Sequence, residues 1–205
     1  MSPIIEQYIV EAIQCFDSIS EERKILLKKI SSYIEKKILK KETPELIYIC
    51  THNSRRSHFG QIWAKIAASY YGFSDVETYS GGTEATAFNP NAIRAIETIG
   101  FNVTKKEDKP NSMYKVQFGI PDVTINCFSK KYDHRLNPTQ GFCAVMTCTE
   151  ADGACPFIDG AEVRISTPYN DPKAFDGTSR QDAMYLERCK QIATECLYVF
   201  SQISK

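Results

Sequence analysis

Cys50, Thr51, His52, Asn53, Ser54, Arg55, Arg56 and Ser57 place a cysteine, five intervening residues, an arginine and a serine in one run. Main-chain N–H groups curling round a small space at the start of a helix can hold a tetrahedral oxyanion. Arg56 can close such a cradle with a planar, permanently charged fork. Positive potential there would both hold an anionic substrate and favour the thiolate of Cys50, the form that attacks. Thr51 through Ser57 are therefore the oxyanion-binding candidates and Cys50 the candidate nucleophile. The plain alternative is a buried strand-end cysteine beside a surface arginine. The apolar residues 46–49 before the run and the helical pattern after it argue against that alternative.

A second constellation joins Cys148 to Cys155, seven residues on. Seven residues are about two helical turns, so both thiols could share one face of a short helix, with Cα atoms roughly 10 Å apart. A disulfide needs about 4.4 to 6.8 Å, so oxidation would require the segment to rearrange, and Asp152-Gly153 allows it. Two unrelated thiols on a helix remain the alternative. No nearby histidine or second close cysteine pair completes a zinc site. A carboxyl brought over the cradle could protonate a departing oxygen. Asp171, before Pro172 in a polar loop over 168–177, is the candidate acid, with Asp176, Asp159 and Asp152 as competitors. His52 and His58 receive no catalytic role, and His134 is expected at the surface. Cys15, Cys127, Cys189 and Cys196 read as packing residues, and the role of Cys143 is open.

The elements that must position these residues are legible as periodicity. Residues 46–50 form a strand leading into the cradle and 59–71 a helix ending at Gly72. A second strand covers 76–80, ended by Gly81-Gly82, and a helix opens at Asn89-Pro90 and runs to Gly100. Residues 123–128 and 143–147 read as buried parallel strands. A helix spans 179–204, begun by a capping-box-like Ser179 to Asp182. Alternating strands and helices imply a parallel sheet covered on both faces, with ligands at its carboxyl edge. Residues 1–43 read as a separate helical hairpin. One stripe carries Ile4, Ile5, Tyr8, Ile9, Ala12, Ile13 and Phe16, the other Ile25, Leu26, Ile30, Tyr33, Ile34 and Ile38. Those stripes are expected to cover their own domain, a second copy of the chain or a partner.

Lys plus Arg equals Asp plus Glu at 25 each, so no global basic field marks a nucleic-acid binder. No run approaches membrane-spanning length, and Met1 to Val10 lacks a basic start and a cleavage site. The expectation is a cytoplasmic protein whose 8 cysteines are catalytic, redox-active or core rather than structural staples.

Taken together these segments resemble the low-molecular-weight protein tyrosine phosphatase fold, and more closely its thioredoxin-coupled arsenate reductase branch. The resemblance rests on the loop with Cys50, Asn53, Ser54, Arg56 and Ser57, on Tyr79-Ser80 leading to Gly82 and Asn89-Pro90, on the pair Cys148 and Cys155, and on Asp171-Pro172. It implies an α/β three-layer sandwich around a central four-stranded parallel sheet over 44–205, with residues 1–43 as an N-terminal helical extension. It further implies that Cys50 attacks arsenate, that Arg56 and the loop hold its oxygens, and that Asp171 protonates the leaving hydroxyl. Cys148 would then form a disulfide with Cys50, and Cys155 would carry that disulfide to the surface for thioredoxin to reduce. Asn53 would hold the loop in a left-handed conformation. No cofactor and no metal are expected.

His52 stands where the family usually has glycine, and Arg55 where it commonly has a small residue or cysteine. The nearest rival is a phosphatase acting on phosphotyrosine or small phosphoesters through Cys50, Arg56 and Asp171. A non-catalytic redox sensor, docked through the hairpin, is the alternative from another class.

Overall fold

The computed structural model describes residues 2–119, 124–154 and 157–204. Helices α1 (Pro3–Ile13) and α2 (Glu21–Leu39) open the chain. Then come β1 (Glu45–Cys50), α3 (Arg56–Tyr71), β2 (Glu77–Gly82) and α4 (Pro90–Ile99). Three short strands follow, β3 (Asn102–Lys105), β4 (Tyr114–Gln117) and β5 (Thr124–Cys127). The chain continues with β6 (Phe142–Met146), α5 (Thr149–Ala154), β7 (Ala161–Ser166) and α6 (Gln181–Ser201). No helix among the described residues is long and apolar enough to cross a membrane.

The central sheet is parallel, in the order β2-β1-β6-β7. Period-two alternation sends Leu46 and Tyr48 of β1 to one face and Ile47 and Ile49 to the other, where they enter separate apolar clusters. Both faces are covered, so β1 reads as a nearly unbroken apolar run. Helices α3 and α6 share the larger cluster, while α5 covers the second face with Cys148 and Ala151. This is the three-layer, four-stranded architecture that the resemblance implied.

Two strand expectations need correction. The stretch 123–128 is not part of the parallel sheet. Its described part is β5, antiparallel to β4 at the edge of a second sheet ordered β3-β4-β5. Its residues alternate between exposed and buried, the pattern of a strand covered on one side only; residue 123 lies outside the described residues. The fourth parallel strand is instead β7, where Glu162 and Arg164 interrupt the apolar signal. The start of α6 differs too. Arg180 occupies the cap without a side-chain bond, because the turn before it is fixed by Thr178 Oγ1 accepting from Arg180 N–H (3.2 Å) and Gln181 Oε1 accepting from Gly177 N–H (2.9 Å).

The hairpin caps behave as serine at a helix start should. Ser2 and Ser20 accept from the N–H groups of Ile5 and Arg23, satisfying donors that the first turn leaves orphaned. Ile5, Ile9 and Ala12 of α1 and Leu27, Ile30 and Ile34 of α2 belong to the same buried cluster as Trp63, Leu197 and Phe200. Tyr8 stacks on Trp63 with ring centroids 5.2 Å apart, and Ser31 Oγ donates to the Val199 carbonyl at 2.8 Å. The stripes therefore face the chain's own core. Ile4, Ile25 and Ile38, assigned to them from spacing, are exposed, since at 3.6 residues per turn they lie away from the rows centred on Ile5 and Ile30.

Because hairpin and sheet share one cluster, Ile34→Ala is expected to destabilise the whole chain by about 2–5 kcal/mol. Urea unfolding followed by Trp63 fluorescence and by circular dichroism should show one coincident, shifted transition. Two separated transitions would mean that the hairpin melts on its own.

Candidate functional site

β1 delivers Cys50 to the carboxyl edge of the sheet, and α3 starts six residues later. The intervening loop turns sharply. Asn53 sits at φ 45°, and Lys41 is the only other non-glycine with positive φ among the described residues. Asn tolerates this left-handed conformation, and its side chain stabilises it from both ends. Asn53 Nδ2 donates to Ser57 Oγ at 2.8 Å, and Asn53 Oδ1 accepts from the Lys130 N–H at 2.9 Å. Ser57 Oγ, held by this bond from Asn53, lies within hydrogen-bond reach of Cys50 Sγ, 3.1 Å away.

Other elements pin the loop from outside. Ser54 Oγ donates to the Ala87 carbonyl at 2.7 Å, and Asn89 N–H donates to the Ser54 carbonyl at 3.0 Å. Gly82, paired with Cys50 in the sheet, is required, because a Cβ there would collide with the Glu84 and Thr51 carbonyls and the Asn53 amide nitrogen. Among the described residues, the N–H groups of 51–57 donate to no protein acceptor, and buried Arg56 Nε is likewise unpartnered. Main-chain donors without acceptors beside a buried guanidinium make this loop the candidate anion site.

Arg56 is only 6 % exposed. One of its amino groups donates to the Tyr169 carbonyl and the other to Asp171 Oδ2, each at 2.7 Å. Asp171 Oδ1 accepts from Lys173 N–H at 3.0 Å, capping a short 3-10 turn over Pro172–Phe175. Of the competing carboxylates, Asp176 accepts from Tyr185 Oη at 2.9 Å, Asp152 is held by Arg164 and Ser166, and Asp159 is exposed. Asp171 is the aspartate brought against Arg56.

Cys148 also comes to the loop. Its sulfur lies 3.5 Å from Thr51 Oγ1 and accepts from Ala151 N–H at 3.4 Å. Burial holds its thiol above the ordinary range, with Thr51, Ala151 and the charge of Arg56 pulling the other way. Cys155 lies outside the described residues. Among the described residues, no group of three or more His, Cys, Asp or Glu could hold a metal ion.

No family model matches the chain. Comparison with curated proteins finds the arsenate reductase of Bacillus subtilis at 26 % identity over 164 residues, 80 % of this chain and 99 % of that one. The arsenate reductase of Halalkalibacterium halodurans is 23 % identical over 160 residues, 78 % of this chain and 96 % of that one. Among solved structures, a low-molecular-weight protein tyrosine phosphatase from Bacillus subtilis aligns with TM-score 0.51 at 15 % identity, over 77 % of this chain and 95 % of that one. The YwlE mutant of the same organism aligns at 0.52 with 16 % identity, over 78 % and 97 %. In sequence the chain is similar to these arsenate reductases, and in fold it is similar to the low-molecular-weight protein tyrosine phosphatases. These structural likenesses speak to the fold.

The two loop departures from the family pattern are accommodated differently. His52 turns outward, 47 % exposed at its side chain and 3.6 Å from Glu84, and its backbone does not need glycine. Arg55 stays partly buried, donating from Nε to Tyr185 Oη at 2.9 Å and facing Asp171 and Asp176 at 4.0 Å each. His58 is buried, 3.2 Å from Ser80 Oγ, and burial, then the charge of Lys130, keeps it well below the usual imidazole range. Cys127, Cys189 and Cys196 are core thiols pushed up by burial to about 12, and Cys143 rises for the same reason.

Spacing did not point to Lys130, Tyr169 or Tyr185, which reach the loop from distant segments. Lys130 is 4 % exposed, lies 4.8 Å over the Phe128 ring, and has a pKa lowered by burial to about 8. Its folded-state value is depressed, so the cost of charging it is fully present below pH 8 and is lifted as pH rises towards its ordinary 10.5. Lys130→Met is therefore expected to raise stability by about 3 kcal/mol at pH 7. The gain should shrink to nearly nothing by pH 10.5 in denaturant titrations. An equal gain at both pH values would rule out charge burial as its source.

Proposed function

We propose that this chain reduces arsenate to arsenite through Cys50, Cys148 and Cys155, with thioredoxin as the reductant and the cytoplasm as its compartment. The observation that carries the reading is the placement of Cys148 against Thr51 of the anion loop. Hydrolysis has no use for a second thiol there, whereas reduction needs one.

In this reading arsenate takes the loop N–H groups and Arg56, displacing Asp171 from the guanidinium. The Asp171 carboxyl, released from Arg56, is left facing the bound oxyanion. Cys50 thiolate forms the S–As bond while an As–O bond breaks, and Asp171 gives its proton to the departing oxygen, so the leaving group is water. Cys148 then attacks the Cys50 sulfur. An S–S bond forms, the S–As electron pair stays with arsenic, and arsenite leaves. Cys155 attacks Cys148, freeing Cys50, and a reduced dithiol protein takes over the Cys148–Cys155 disulfide. The raised thiol of Cys148 suits this order, because it withholds a competing nucleophile until the loop is reorganised.

A phosphatase is the second reading. Cys50, Ser57, Arg56 and Asp171 contain all that a phosphocysteine route to phosphoester hydrolysis needs, and the cradle takes phosphate and arsenate alike.

Thioredoxin-coupled arsenate turnover, assayed beside aryl phosphate hydrolysis, separates the two. Cys50→Ser should abolish both, and Asp171→Asn should lower both by about 10²–10⁴-fold. Cys148→Ser and Cys155→Ser should abolish arsenate turnover and spare hydrolysis. Hydrolysis without arsenate turnover in the unaltered chain would establish the phosphatase instead.

A further inference from the structure

One polar side chain of the hairpin, Arg23, reaches the segment that holds Arg56. Arg23, in the first turn of α2, donates from Nε to Glu195 Oε2 of α6 at 3.0 Å, and one of its amino nitrogens lies 2.9 Å from the same oxygen as an ion pair without a hydrogen bond. Its guanidinium also lies 4.7 Å over the ring of Tyr169. Tyr169 Oη donates to the same Glu195 oxygen at 2.7 Å. Tyr169 is thus gripped at its ring and hydroxyl, while its main chain faces the active-site loop: its N–H donates to the Thr147 carbonyl at 3.1 Å, and its carbonyl accepts from Arg56 at 2.7 Å. Two residues further on, Asp171 takes the other amino group of Arg56.

From this geometry we infer that Arg23 is a positioning residue for the catalytic centre: the N-terminal hairpin braces Tyr169, and Tyr169 sets where Arg56 and Asp171 sit. Resting on the proposed roles of Arg56 and Asp171, this inference adds a role for a segment outside the family pattern. Glu195 is buried, with its side chain 5 % exposed. A buried carboxylate needs its counter-charge, so loss of Arg23 leaves Glu195 without the cation that holds it in place. Displacement of Glu195 moves the acceptor that fixes the Tyr169 hydroxyl. Arg56 can hold an anion tightly only while its fork is aimed correctly, and small displacements of such groups have large effects on rate. Lysine cannot replace Arg23 fully, because an ammonium lacks the planar face that covers the ring and the fork that grips the carboxylate.

The test compares Arg23→Ala, Arg23→Lys, Tyr169→Phe and Ser31→Ala in the full-length chain. Ser31→Ala is the control, since it removes a buried bond between α2 and α6 without touching Tyr169. Inorganic phosphate binding is measured by calorimetry, and aryl phosphate kinetics across pH supply kcat and KM separately, all at a temperature where each variant is folded. Arg23→Ala is expected to weaken phosphate binding and lower kcat/KM by about 10- to 100-fold. Tyr169→Phe should move both readouts in the same direction by less, and Arg23→Lys should recover part of the loss. Ser31→Ala should lower the melting temperature and leave binding and kinetics unchanged. The brace is overturned if Arg23→Ala and Tyr169→Phe bind phosphate and turn over as the unaltered chain does, or if Ser31→Ala impairs them equally. An unaltered chain that binds no phosphate would overturn the anion site itself, and the brace with it.

Discussion

Arg56 carries a permanent charge into a nearly buried position, and much of the surrounding structure answers that constraint. A guanidinium with so little exposure needs acceptors for its protons. It finds the Tyr169 carbonyl and the Asp171 carboxylate, both on the segment between β7 and α6. That segment is itself anchored to the end of β6 through Thr147 and to α6 through Glu195. The strand order puts β1 and β6 side by side, so the loops after both converge on one edge. Cys50, at the end of β1, and Cys148, two residues past the end of β6, fall in one buried cluster there, although 97 residues separate Thr51 from Cys148.

The legible parts of the sequence were those whose determinants are local. The strand before Cys50, the helix after Arg56 and the Asn89 cap depend on near neighbours, and each appears as expected; the left-handed Asn53 followed from the family resemblance, and it is held in part by distant Lys130. β7 escaped notice because Glu162 and Arg164 pair across space, with Lys36, Lys37 and Asp152, instead of marking a loop. β5 was assigned to the wrong sheet because a short β-forming run says nothing about its partner. The contribution of Tyr169 was invisible for a different reason. Its function at Arg56 passes through its carbonyl, and every residue type has one.

Cysteine burial sorts thiols that composition could only count. Cys127, Cys143, Cys189 and Cys196 lie in the large core with their thiol forms favoured by burial. Cys50 and Cys148 sit in the smaller cluster on the opposite face of the sheet. The sheet thus partitions the described sulfurs into a packing set and a set at the anion loop. Only partly exposed Cys15, its Sγ 3.3 Å from the Glu11 carbonyl, stands apart from both clusters.

The unequal covering of the two sheet faces has a further consequence. The face with α3, α6 and the hairpin is sealed by long helices, whereas α5 spans six residues and Ala151 is the buried anchor within it. The layer over Ile47 and Ile49 is the smaller of the two apolar clusters, and local opening costs least where the least apolar contact must be broken. Arg164, which donates to the Asp152 carbonyl at 2.7 Å, and Ser166, which donates to Asp152 Oδ2 at 2.8 Å, act as the catch on that layer. Cys148 is mounted at the edge of this thinner layer, above a sheet whose register is set by β1 and β6.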